Sequence, residues 1–188
     1  MSAPSLEKTA PTESAPDLAP EDLREAEAVF ADARGLLFGI AYRMLGSVRE
    51  AEDILRAVRT YWRAHDRSGV RDPRATLITT VTRLAIVELH SARARREDYV
   101  GFWLPEPVAT TSDPAVGAAN GEALDVAELT LMGGLTPAER AAYVLRDAFD
   151  CPYGRIAEII GLSQTDVRRL VVRAREFLAG VPQRCAEG

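Results

Sequence analysis

Six side chains between Ala148 and Ala179 have the types and spacing needed to contact a nucleic acid. Gln164, Thr165, Arg168, Arg169, Arg173 and Arg175 project from a stretch whose other positions, Val167, Leu170, Val171, Ala174 and Leu178, recur at i, i+3, i+4, i+7 and i+11. The guanidinium fork matches phosphate oxygens and the guanine edge, and amide and hydroxyl groups read base edges at short range. The chemistry is recognition, with no bond made or broken. Such a helix must be held at a fixed angle, and the residues before it supply the support. Tyr153 to Ile160 carries Ile156, Ala157, Ile159 and Ile160 at helical spacing, and Gly161 stands where a helix end takes a left-handed residue. Ser163 is a good N-cap, with Asp166 three positions on as its capping partner. A second helix then runs from Gln164 to about Ala179. Short helix, glycine turn and capped Arg-rich helix make a helix-turn-helix. The competing reading is an ordinary helical hairpin with a solvated basic face.

Composition narrows the classes. The chain has 188 residues and a net charge of −5, and residues 1–28, with seven acidic and two basic side chains, carry all of it. Within the remainder, basic residues cluster at Arg93, Arg95 and Arg96 and again at Arg168, Arg169, Arg173 and Arg175. Lys8 is the single lysine. No apolar run is long enough to cross a bilayer, and the N-terminus lacks a basic-then-apolar leader, so a cytoplasmic protein without membrane association is expected. Cys151 and Cys185 are too few and too far apart for a disulfide framework or a zinc site, and His65 and His90 show no ligand spacing with them. No nucleophile–base pair, metal cluster or glycine-rich phosphate loop is present. The sequence therefore predicts a non-enzyme with no catalytic residue, no metal and no cofactor.

The periodicity predicts an all-α chain of two small helical domains joined by a flexible linker. Residues 1–20, with four prolines among Ala, Ser and Glu, read as a disordered acidic tail. Residues 21–103 form the first domain. Glu21–Ala33 and Arg34–Leu45 make one or two helices. Ser47 and Glu50 cap the next, from Val48 to about His65, which buries Ala51, Ile54, Leu55, Val58 and Trp62. Pro73 opens a third helix that runs to about Arg96 and buries Leu77, Val81, Leu84, Ala85 and Leu89. Residues 104–121 hold three prolines and two glycines and read as the linker. Residues 122–180 form the helix-turn-helix domain, with a short tail at 181–188. The two domains are expected to pack weakly unless a partner clamps them.

Several motifs in order resemble one family. LLFGIAYRMLGSVREAEDIL (36–55), RDPRATLITTVTRLA (71–85), SARARRE (91–97) and GFWLPEPV (101–108) are similar to the extracytoplasmic-function, or group 4, bacterial sigma factors. The subgroup with a SnoaL-like C-terminal domain is the best match. LTPAERAAYVLRDAFDCPYGRIAEIIGLSQTDVRRLVVRAR (135–175) resembles sigma region 4. The resemblance implies region 2 at about 28–100, which binds core RNA polymerase and opens the minus-10 element. It implies region 4 at about 122–180, which binds the minus-35 element of promoter DNA. It places Asp53 and Arg56 on the polymerase-binding helix, Arg93, Arg95 and Arg96 near DNA, and Trp103, Leu104 and Pro105 in a linker element that docks a partner. An anti-sigma factor or a separate regulator is the further partner it allows.

The sequence also departs from the family. Arg56 and Ala57 stand where Gln and Glu are usual, Thr76 replaces an aromatic, Glu88 and His90 replace Asp and Arg, and Arg155 replaces an acidic residue. The sequence stops at Gly188, so no SnoaL-like domain is expected. Two functions follow: a working initiation factor, or a degenerate sigma-like regulator that binds DNA, polymerase or another sigma factor without full initiation activity.

Overall fold

The computed structural model describes residues 20–97 and 126–180. The expected tails and linker, including Trp103, Leu104 and Pro105, lie outside the described residues, except that Pro20 opens the first helix. The described residues form helices joined by turns and short loops, with no strand. Seven α-helices follow in order: α1 (Pro20–Leu45), α2 (Val48–Ala64), α3 (Pro73–Glu97), α4 (Val126–Met132), α5 (Pro137–Tyr143), α6 (Tyr153–Ile160) and α7 (Gln164–Gly180). A π-helical turn over Val144–Ala148 continues α5.

α1 is one helix, uninterrupted at Gly35. A mid-helix glycine costs about 1 kcal/mol, and burial outweighs it. Phe30, Ala33, Leu37, Phe38, Ile40, Ala41, Tyr42, Met44 and Leu45 are all buried, so the second half of α1 is apolar on most of its circumference. A helix of that kind belongs at the centre of a bundle, and α2 and α3 both pack along it. Gly46 ends it with φ +73°, its N–H donating to the Tyr42 carbonyl at 2.7 Å. Ser47 then caps α2 by accepting from the Glu50 N–H at 3.3 Å.

The five residues expected to be buried in α2 are buried. Trp62 is the largest of them, and its indole N–H donates to the Ala26 carbonyl at 3.1 Å. Arg59 reaches Glu27 with Nε–O distances of 2.9 and 3.2 Å, a second tie between α2 and α1. Asp72 caps α3, accepting from the Ala75 N–H at 2.9 Å, with Pro73 at the first helical position. The threonines of α3 satisfy their hydroxyls on carbonyls one turn back, Thr79 on Ala75 and Thr82 on Ile78, both at 2.8 Å. That bonding lets Thr82 sit fully buried.

In the second bundle α5 starts with a reciprocal capping box not anticipated from the sequence. Thr136 accepts from the Glu139 N–H, Glu139 accepts from the Thr136 N–H, and Pro137 occupies the first turn of α5. Gly161 takes φ +77° between α6 and α7, as the turn requires. Nothing lies within 4 Å of a Cβ built there, so Gly161→Ala is expected to cost only the left-handed backbone penalty, about 1–2 kcal/mol. A urea titration monitored by circular dichroism measures it.

The structure corrects the expectation of weak packing. α5 and α6 rest on α3, and α5 and the π turn rest on α1. Arg140 of α5 is 3 % exposed and donates from Nε to the Arg43 carbonyl near the end of α1, at 3.0 Å. Arg83 of α3 donates to the Ile159 and Glu158 carbonyls at the end of α6, at 2.9 and 3.1 Å. Helix C-termini present unpaired carbonyls, and each bundle satisfies some of the other's with an arginine.

Candidate nucleic-acid interface

α7 owes its position to a packed underside. Val167, Leu170, Val171 and Ala174 are buried against α5 and α6, and Leu178 is half-buried. Ser163 caps the helix, accepting from the Asp166 N–H at 3.1 Å and donating to Asp166 Oδ2 at 2.6 Å. The expected reading residues Gln164, Thr165, Arg168, Arg169, Arg173 and Arg175 are all exposed.

Their partners divide them. Arg168 lies over the Tyr153 ring at 5.1 Å, and Arg146 lies over the same ring at 4.9 Å. Tyr153, the first residue of α6, thus fixes the direction of Arg168 by cation–π contact. Arg169 is held loosely by Asp166 at 3.5 Å. These two and Thr165 form the centre of the outward face. Arg173 and Arg175 sit at opposite edges. Arg173 pairs with Glu139 of α5 at 3.5 Å, and Arg175 pairs with Asp147 of the π turn at 2.5 Å. The bond to Asp147 holds the Arg175 guanidinium above its usual pKa. A central pair on the outward face, flanked by cations that pair with other elements, suits base reading at the centre and phosphate contact at the rims.

The sequence reading omitted Val172. It is 50 % exposed and shares a shallow surface with Thr165, Arg168, Arg169 and Arg173. An apolar side chain on such a face can meet a thymine methyl. Its signal was available: Val172 lies off the buried stripe, one turn after Arg168.

The support behind α7 is also polar. The Tyr143 hydroxyl donates to Glu128 Oε1 at 3.3 Å, and burial, with the Glu128 and Asp147 carboxylates, pushes its pKa up to about 12. Cys151 follows Asp150, which has φ +46°, and its N–H donates to the Leu145 carbonyl at 2.9 Å, closing the π turn. Burial pushes the Cys151 thiol up, against the opposing effect of Arg155 and Arg146. A raised pKa leaves less thiolate at neutral pH. In a Cys185→Ser background, alkylation of Cys151 by iodoacetamide should therefore be slow at pH 7–8. It should reach half its limiting rate above the ordinary thiol range, with the shift abolished in denaturant.

The other expected site residues are dispersed. Asp53 and Arg56 pair with each other on the exposed face of α2, remote in sequence and element from α7. Arg93, Arg95 and Arg96 fall in the last turns of α3, and their side chains are outside the described residues. Among the described residues no group of three or more His, Cys, Asp or Glu side chains could hold a metal, and no helix is long and apolar enough to cross a membrane.

Residues 126–178 match the family described as sigma-70, region 4. Over 156 residues the chain is 39 % identical to the ECF RNA polymerase sigma factor SigJ of Mycobacterium tuberculosis, covering 81 % of this chain and 50 % of that protein. The crystal structure of SigJ superposes with a TM-score of 0.65 at 36 % identity, over 81 % of this chain and 53 % of that one. The chain is a homologue of the extracytoplasmic-function sigma factors. A probable sigma factor of the same organism, SigI, is 32 % identical over 145 residues, covering 76 % of this chain and 50 % of that protein. The sigma factor RpoE of Bartonella quintana, solved with the anti-sigma factor NepR, shares the fold at TM-score 0.60 and 18 % identity, over 85 % of this chain and 95 % of that one. This sigma-factor homologue spans about half the length of the relatives SigJ and SigI.

Proposed function

We propose that the chain is a transcription initiation factor of the extracytoplasmic-function type. It binds core RNA polymerase in the cytoplasm and directs it to promoters, with no catalysis of its own. The observation that carries this reading is the face of α7: a capped, packed recognition helix whose polar and basic residues all point outward within a region 4. In this reading Gln164, Thr165, Arg168 and Arg169 read the minus-35 element, Val172 adds an apolar contact, and Arg173 and Arg175 hold the flanking phosphates.

α1–α3 serve as region 2. α2 offers Asp53 and Arg56 to polymerase. Arg56 has a side-chain exposure of 73 %, so its departure from the family's usual Gln costs the fold nothing and alters only the surface offered to the partner. Arg93, Arg95 and Arg96 lie where the resemblance brings DNA to the end of α3. Trp103, Leu104 and Pro105 remain a proposed docking element for an anti-sigma factor or a separate regulator.

The test is a pull-down of core polymerase with the purified full chain, followed by transcription from promoters recovered by DNA enrichment. Specific transcripts that depend on the added chain are expected. Binding of polymerase without any transcript, or no binding at all, overturns the reading.

A further inference from the structure

Half-buried arginines in this fold are answered by an acceptor. Arg34 pairs with Glu52 at 2.8 Å, Arg146 pairs with Asp150 at 2.9 Å, and Arg67 donates to the carbonyls of Trp62, His65 and Asp22. Arg43 differs. Its guanidinium lies over the Phe149 ring at 5.3 Å, and its Nη1 is buried with no hydrogen-bond partner among the described residues. Burial lowers its pKa. The Glu128 carboxylate, on α4, opposes that shift, but the hydrogen bond it accepts comes from the Tyr143 hydroxyl at 3.3 Å.

A second guanidinium lies alongside. Arg140 is 3 % exposed, and its Nε donates to the Arg43 carbonyl at 3.0 Å. Two cationic side chains thus meet where α5 rests on the end of α1. Taking like charges out of water together is costly unless an opposite charge joins them. The Phe149 ring face eases the charge of Arg43 but gives Nη1 no acceptor. A buried donor left in this way calls for an ordered water or an ion. The charges decide between the two. A water supplies an acceptor and no compensating charge, whereas an anion supplies both. The burial of Nη1 and of Arg140 restricts a guest to about the size of a water molecule. A halide ion meets that limit, and a phosphate exceeds it.

We propose that Arg43 Nη1 is the donor of a chloride site at the junction of α1 and α5, with the neighbouring Arg140 guanidinium adding to its positive field. The ion offsets the like charges of the two arginines and completes the polar contact between the two helices. The site shares no residue with the outward face of α7, and it does not depend on the sigma-factor reading.

Two measurements on the full chain decide it. In the first, thermal unfolding is followed by circular dichroism while sodium gluconate is exchanged for sodium chloride at constant ionic strength. The midpoint should rise by about 2–4 °C and level off as the site fills, and sodium bromide should act in the same way. Arg43→Gln should remove this saturable part, whereas Arg24→Ala, at an exposed position of α1, should keep it. A midpoint that does not respond, or that responds equally in wild type and Arg43→Gln, overturns the proposal. The second measurement uses the wild-type chain alone, so it stands even if Arg43→Gln fails to fold. Crystals grown in sodium bromide should show an anomalous bromine peak within hydrogen-bonding distance of Arg43 Nη1. A water in that place, a carboxylate from residues 98–125, or bromide confined to exposed arginines, and so an adventitious ion only, overturns it.

Discussion

Arg169→Ala is expected to weaken binding of the preferred minus-35 element by about 1–3 kcal/mol, with tenfold in affinity for every ~1.4 kcal/mol. Its effect on unrelated DNA should be much smaller. The asymmetry follows from position. Arg169 is central on the outward face, is held only by Asp166 at 3.5 Å, and can exchange that contact for a base edge at little cost. Arg168→Ala should show a loss of the same order, since it removes both the guanidinium and its stack on Tyr153. Tyr153→Leu is the informative companion. It leaves Arg168 in place but frees its direction, so it should lower affinity by less than Arg168→Ala does. Arg173 and Arg175 should behave differently. Removing either one should weaken all sequences alike and reduce the slope of log K against log salt by roughly 0.9. Arg175 spends part of its charge on Asp147, so Asp147→Asn should release it and raise affinity for any DNA. Deleting residues 1–19, which precede α1, should do the same to a smaller extent by removing acidic charge. A salt titration of promoter and random duplexes, with core polymerase present, reads all of these. A uniform loss in Arg169→Ala would move that residue from base reading to phosphate contact.

The local helical signals were legible because they depend on neighbours in sequence. Ser163 with Asp166, Gly161, Pro73, and the buried stripes of α2 and α7 each involve residues within one or two turns, and the structure places them as the sequence implied. The continuity of α1 through Gly35 was not settled, because it depends on two other helices covering both sides. Closure of the two bundles was missed for a related reason. Arg43, Arg83 and Arg140 belong to no local motif, and nothing in a sequence marks which distant helix end lacks a donor. The candidate interface was legible in its arginines and illegible in their pairing. Glu139 and Asp147 lie on separate elements, and only the fold brings them to Arg173 and Arg175. Val172 was passed over because an apolar residue among arginines was assigned to neither the buried stripe nor the charged face.

Trp62→Ala should have the largest effect on the fold. The ring is 1 % exposed, fills the contact between α2 and α1, and donates to the Ala26 carbonyl. Arg67 lies over its face at 5.8 Å and donates to the carbonyls of Trp62, His65 and Asp22, so one side chain anchors the cap of α2 and the start of α1 together. Truncation of a buried tryptophan costs about 3–5 kcal/mol, a large part of the ~5–15 kcal/mol that holds a domain folded. Two consequences are expected. Urea unfolding should begin earlier, at a lower midpoint of the helical signal. Polymerase binding should fall with it, since Asp53 and Arg56 lie on the α2 surface that Trp62 holds against α1. Trp62→Phe separates packing from hydrogen bonding. It keeps most of the buried area, loses the bond to Ala26, and should cost only about 1–2 kcal/mol. Equal losses in the two variants would assign the anchor to the hydrogen bond, and near-wild-type stability in Trp62→Ala would show that α2 is held mainly by its aliphatic stripe and the Arg59–Glu27 tie.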